Sequence, residues 1–319
     1  MEAQQQLQQE KQQDMYAFDK ATNTKYLGKT TSGRAVYVGR TDKTWAVGEA
    51  SSGGYVLSVM MDSMLQHYAE RHQQHPIALN AFFLRKTSPG PVVIEIEDIK
   101  TSRKGYCLSR TMLKQPKDGQ TVLRTLEEYD PAAYVENVYS VTTMGDMHSE
   151  KGATHLHKPW QPPREEDLED FQYDFMGEHV IAKINTRNLP VPLVGDDQTP
   201  GRAEHDHIIE FRDGRPVDFK SIPYWSDMLI SPPANLGTNV HGGRIWCATM
   251  QLEIQFKAIP SGNKVPSSFI SSHLVNSRCD LDGALFDQDG KLLALTRHQV
   301  LALPWNRNTP AEKPGKSKL

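Results

Sequence analysis

Hydrophobic positions along the chain follow two rhythms: strict alternation in many short stretches, and one longer run that is apolar on nearly every side. Alternation is cleanest in PVVIEIEDIK, Pro91 to Lys100, and the strongest hairpin is LFDQDGKLLALTRHQVLAL, Leu285 to Leu303. Asp289-Gly290 separates its two apolar runs, and Asp-Gly in that setting marks a two-residue hairpin turn. The second run predicts a strand over 291–303 with Arg297, His298 and Gln299 in its middle. Polar side chains inside a buried strand cost stability unless paired, so these three are read as part of an active site. Similar patterns predict strands over 79–85, 91–100 and 105–114, with turns at Pro89-Gly90 and at Ser102 to Lys104. One or two further short strands fit 25–50. Later strands are expected over 171–184, 207–211, 244–256, 267–275 and 279–287.

The apolar run is YVLSVMMDSMLQHYAERH, opened by Ser51-Ser52-Gly53-Gly54. Tyr55, Val56, Leu57, Val59, Met60, Met61, Met64 and Leu65 cover nearly its whole circumference, which describes a buried helix. A Ser is its expected N-cap, and Pro76 forbids continuation. A second helix is expected over 221–236, SIPYWSDMLISPPANL, shortened by Pro232-Pro233.

The two halves of the chain repeat this order. AFFLRKTSPG at Ala81 to Gly90 can be laid on EIQFKAIPSG at Glu253 to Gly262, and Ser102-Arg103 then falls near Ser277-Arg278. The expected class is α+β, two tandem units, each a helix wrapped by a curved antiparallel sheet. The units span 25–143 and 171–305. A polar N-terminal segment (1–24) precedes them, a linker over 144–170 containing PPREEDLED separates them, and 306–319 is a flexible tail.

Composition narrows the partners. The 319 residues carry a net charge of −3 with an isoelectric point near 6.5, giving no electrostatic reason to expect nucleic acid or an anionic membrane. No apolar run is long enough to span a bilayer, and MEAQQQLQQEKQQD lacks the apolar core of a secretory signal. Cys107, Cys247 and Cys279 stand apart, which argues against a zinc site or a disulfide framework and suits a reducing compartment. The chain closes on Ser317-Lys318-Leu319, the tripeptide read by the peroxisomal import receptor, so the peroxisomal matrix is the expected location.

Several segments carry a family resemblance. They are Gly53 to Leu57, FFLRKTSPGPV and the SRKG turn in the first half, then GRPVD, WSDMLISPP, WCATMQLEIQF and LFDQDGKLLALTRHQ in the second. Together they resemble the acyl-CoA thioesterase II family, double-hotdog thioesterase-like proteins, here of a fungal peroxisomal type. The resemblance implies that each helix is the sausage and each sheet the bun, and that a fatty-acyl or related acyl-CoA is hydrolysed directly by water. It implies an Asp, a Thr and a Gln holding that water, at Asp227, Thr249 and His298. The family shows Arg-Gln where this chain has Arg297-His298-Gln299. Either His298 replaces the amide or a one-residue shift brings in Gln299, and strand alternation lets only one face the water.

Read as residues, Asp227 is either the base or an N-cap carboxylate early in its helix. Thr249 falls in polar alternation with Gln251, Glu253 and Gln255, opposite Met250, Leu252, Ile254 and Phe256. Gly53, Gly54 and Tyr55 open the first helix. Their N–H groups either polarise the thioester carbonyl, or the glycines serve close packing. Arg103 with Lys104, and Arg278, are candidates for the CoA phosphates. Met60, Met61 and Met64 belong to the core or line an acyl tunnel. No cofactor or metal is expected beyond the CoA thioester as substrate, and a homo-oligomer is. A biosynthetic-pathway role fits the linker and N-terminus. The competing readings are a non-catalytic acyl-CoA-binding protein and an enoyl-CoA hydratase or dehydratase, whose Gly-Asp-x-Asn-Pro-x-His string is absent.

Overall fold

The computed structural model describes residues 15–308 apart from 194 and 196. The first half runs α1 (Ala17–Thr22), β1 (Lys25–Lys29), β2 (Ala35–Thr41), β3 (Ala46–Val47), β4 (Ala50–Ser51), α2 (Gly53–Tyr68), β5 (His75–Phe83), β6 (Gly90–Lys100), β7 (Cys107–Pro116) and β8 (Tyr134–Gly145). The second runs β9 (Glu169–Phe171), β10 (Val180–Ile184), β11 (Glu204–Phe211), α3 (Ile222–Asp227), α4 (Thr238–His241), β12 (Ile245–Phe256), β13 (Lys264–Val275), β14 (Arg278–Phe286) and β15 (Leu292–Pro304).

All strands but β3 and β4 join one 13-stranded sheet, ordered β1-β2-β6-β7-β8-β5-β12-β15-β14-β13-β11-β10-β9. Every pairing in it is antiparallel. The strands from which the two aligned segments emerge meet at its centre, where β5 pairs with β12 and Asn80 lies opposite Glu253. Helix α2 is buried as its pattern requires: Tyr55, Val56, Leu57, Val59, Met60, Met61 and Met64 are each almost fully enclosed. Each such side chain contributes about 1.5–3 kcal/mol of burial. Helix α1 ties the N-terminal segment to the second half. Phe18 is enclosed against Trp45, Phe211 and Tyr224, and Asp19 accepts from Arg215 at 2.8 Å.

Three elements depart from the sequence expectation. Strand β8 has no counterpart in it because its inward positions include Ser140 and Thr142 as well as Val138 and Met144, which blurs the apolar alternation. The strand expected over 171–184 is two short ones, β9 and β10, split by a segment in which Met176 takes a positive φ of 58°. The second helix stops at Asp227, well before Pro232. Met228 leaves the helical region with ψ 81°, and the prolines support only a 3-10 turn over Pro232–Leu236.

Candidate active site

Asp227 is the last residue of α3, not an early N-cap residue. Its position is set by a close approach between that helix end and the start of α2. A Cβ added at Gly54 would lie 2.4 Å from the Pro223 carbonyl oxygen and 2.6 Å from the Asp227 Cβ. Only a glycine permits that distance. The Gly54 N–H then donates to Asp227 Oδ2 at 2.7 Å. Ser52, at the N-cap position of α2, makes no capping bond and donates its hydroxyl to the same oxygen at 3.1 Å. One carboxylate oxygen is thereby fixed at a helix N-terminus, where negative charge is favoured. The other, Oδ1, faces His298 Nδ1 at 4.0 Å.

His298 is buried, whereas its neighbours Arg297 and Gln299 are exposed. Gln299 therefore points away from Asp227, and the choice left open by the sequence falls on His298. Burial lowers the His298 pKa; the Asp227 charge and a hydrogen bond to the Ser226 backbone oppose that shift without reversing it. The imidazole is neutral at neutral pH, and its Nε2 is enclosed without a hydrogen-bond partner.

Thr249 reaches the same side through a bulge. Strand β12 pairs Leu252 with His298 but Thr249 with Val300, so the register slips by one residue at Met250. Directly opposed residues share a sheet face, as do residues two apart on one strand. The bulge thus turns Thr249 onto the face of His298, Leu252 and Ile254. The expected placement opposite Leu252 is corrected accordingly.

Asp227, Thr249 and His298 all line one cleft of about 1120 Å³. Its apolar wall includes Phe171, Phe175, Met176, Met228, Leu229 and Ile230. Tyr173 also lines the wall, and its hydroxyl lies 3.0 Å from both His205 Nε2 and His207 Nδ1. Burial lowers both imidazoles, His205 to about 3, so this buried trio is neutral. Cys247 lines the cleft too, with its thiol pushed up to about 11 by burial. It is therefore present as the unreactive thiol.

Other expected site residues are placed differently. Gly53 lines the cleft, while Gly54 is spent on packing and on Asp227. The Tyr55 ring is enclosed; its hydroxyl donates to the Ala21 carbonyl at 2.7 Å and accepts from Asp42 N–H at 2.9 Å. Tyr55 is a core residue and does not line the cleft. Neither do Arg103, at the β6–β7 hairpin tip, or Arg278, exposed at the start of β14. Met60, Met61 and Met64 pack in the core. Ser317, Lys318 and Leu319 lie outside the described residues. Sequence reasoning missed Ser52 as a partner of Asp227. The Ser-Ser-Gly-Gly start of α2 was the available signal, but it could not name a partner 175 positions away. Among the described residues no cluster of His, Cys, Asp and Glu suits a metal ion.

Comparisons with known proteins bear on the fold and on the family of the chain. The fold is shared with solved structures. One is a candidate thioesterase II from Thermobifida fusca YX, with TM-score 0.70 and 20% identity over 91% of this chain and 98% of that one. A conserved hot dog fold protein of unknown function from Alicyclobacillus acidocaldarius gives 0.67 and 17% over 90% and 98%. The acyl-CoA thioesterase II TesB2 of Mycobacterium marinum gives 0.62 and 16% over the same shares, 90% and 98%. These likenesses define a hotdog-type fold. The sequence itself matches the acyl-CoA thioesterase N-terminal domain over residues 41–126 and the acyl-CoA thioesterase C-terminal domain over 157–302. The chain belongs to the acyl-CoA thioesterase family and is a thioester hydrolase. No curated protein sequence matches it.

Proposed function

We propose that this double-hotdog chain hydrolyses a fatty-acyl or related acyl-CoA with a water held between Asp227, Thr249 and His298. The observation that carries the reading is the Asp227 carboxylate. One oxygen is tied to Gly54 and Ser52, and the other is turned into the cleft toward His298 at 4.0 Å. A gap of that size between two polar groups suits a bridging water. Asp227 takes a proton from the water as its oxygen attacks the thioester carbonyl. The carbon–sulfur bond of the tetrahedral intermediate then breaks, giving the free acid, and the CoA thiolate takes up the proton that Asp227 had accepted, which regenerates the carboxylate. Gly53, the first residue of α2, offers its N–H to the developing oxyanion. His298 fills the role of a neutral donor or acceptor to the water, and Thr249 orients it. The reaction so written needs no cofactor.

The apolar wall favours a hydrocarbon acyl group. The C-terminal Ser317-Lys318-Leu319 supports a peroxisomal setting, tested by the distribution of a fluorescent fusion with and without that tripeptide. Thiol release from a panel of acyl-CoAs tests the chemistry. Hydrolysis that disappears in Asp227→Asn is the expected result, and no release above background at any chain length rejects it. CoA binding without turnover would favour the non-catalytic reading instead.

A further inference from the structure

Resting on the hydrolase reading, we infer that the CoA moiety leaves the catalytic centre along Ser51 and Thr87, and that its phosphates dock on Arg85 and Lys86. These residues form one continuous cleft wall. Nearest Asp227 are Ser52 and Gly53. The wall continues through Ser51, whose N–H donates to the Thr87 carbonyl at 2.9 Å, joining β4 to the segment after β5. Lys86 and Arg85 follow at the exposed rim.

Two independent features single out this wall. Ser51 and Thr87 are only 7% and 5% exposed, and both hydroxyls lack a hydrogen-bond partner. Buried hydroxyls are nearly always satisfied, so two orphans on backbone-bonded residues that line a substrate cleft point to a polar ligand. A pantetheine arm carries two amides, each with a donor and an acceptor. Beyond them the two cations meet little competing charge. Lys86 Nζ faces Glu49 at 3.5 Å with both side chains substantially exposed, and a pair of that kind is weak. Among the described residues no carboxylate pairs with Arg85. Arg244, the other rim cation, is held over the Trp305 ring at 4.1 Å; its contact with Asp174, at 3.9 Å between still more exposed side chains, is weak too. Adjacent Arg and Lys, one a planar fork and one a point charge, suit a diphosphate or a 3′-phosphate.

The experiment compares Arg85→Ala/Lys86→Ala with wild type on an acyl-CoA and on the matching acyl-N-acetylcysteamine thioester, which lacks the phosphates. Losing charged hydrogen bonds of this kind raises KM for the acyl-CoA about tenfold to a hundredfold, with kcat held. The short thioester should be unaffected, and the salt dependence of KM should flatten in the double variant. Calorimetric binding of CoA itself reads the same site without turnover and should weaken by a similar factor. A chain that binds CoA through these residues but hydrolyses nothing would sink the hydrolase reading and leave this inference standing. A hydrolase whose double variant keeps wild-type KM and CoA binding would overturn the inference alone. So would equal losses on both thioesters, or a KM effect confined to Arg103→Ala or Arg278→Ala.

Discussion

Replacing Gly54 by Ala tests the junction on which Asp227 depends. The new Cβ would sit 2.4 Å from the Pro223 carbonyl oxygen, 2.6 Å from the Asp227 Cβ and 3.0 Å from the Tyr224 Cα. The first and third are backbone atoms of α3 and cannot swing aside. Restoring ordinary contact of about 3.5–4 Å requires the two helices to part by about 1 Å. Overpacking of this kind costs about 1–3 kcal/mol, and the better helix propensity of Ala offsets at most about 1 kcal/mol. A clash with two backbone atoms falls at the upper end of that cost, so the expected net loss is about 2 kcal/mol, read as a lower urea midpoint with the m value unchanged. Activity falls further, because the displacement moves the base: a 1 Å misplacement costs about a hundredfold. Gly53→Ala is the matched comparison. Its Cβ would meet Phe83 ring carbons at 3.1 and 3.2 Å, which can swing aside, and the held Asp227 Oδ2 at 3.3 Å, short by only a few tenths of an ångström, so stability should change by less than about 1 kcal/mol. Thiol-release kinetics and urea melts on the three proteins decide the matter. Gly54→Ala with wild-type stability and rate, or Gly53→Ala as the more destabilised variant, would refute the reasoning.

Asp227→Asn retains an acceptor for Gly54 but no base, so kcat should fall about 10²–10⁴-fold with the urea midpoint little changed. A wild-type rate would remove Asp227 from the chemistry. His298→Gln should keep activity within about tenfold and His298→Leu should abolish it, while Gln299→Ala, altering an exposed side chain, should match wild type; the reverse ranking would reassign the site. Thr249→Val removes only the hydroxyl and should lower kcat while KM holds, as steady-state kinetics would show. Stability should also depend on acidity. Burial lowers the pKa of His205, His207 and His298 in the folded chain, so below pH about 6.5 the unfolded chain binds more protons. This stability is fully present above pH about 6.5 and declines as pH drops, at about 1.4 kcal/mol per pH unit for each such group. Urea midpoints between pH 7.5 and 5 should fall, and less steeply in His207→Asn; a flat profile would show that these imidazoles are not held neutral.

Much of the molecule was legible in its residues because the deciding physics is local. The all-round apolar surface of α2, the alternation of β6, the apolar runs of the β14–β15 hairpin and its Asp289-Gly290 turn each follow from period and turn chemistry. The repeated order of elements and the prominence of His298 were legible for the same reason. Tertiary structure decided what depends on partners far away in the chain. Thr249 faces the cleft only because the pairing of β12 with β15 slips at Met250, and a one-residue slip reverses every side chain beyond it. Asp227 owes its geometry to Gly54, 173 positions earlier, and the Gly-Gly pair is explained by a helix end that sequence reading placed several residues further on. The cations beside the cleft follow the path of the chain after β5, not the hairpin tips where charge is most conspicuous in the sequence. Local periodicity fixes which face of an element is buried; register and helix–helix approach fix which residues meet.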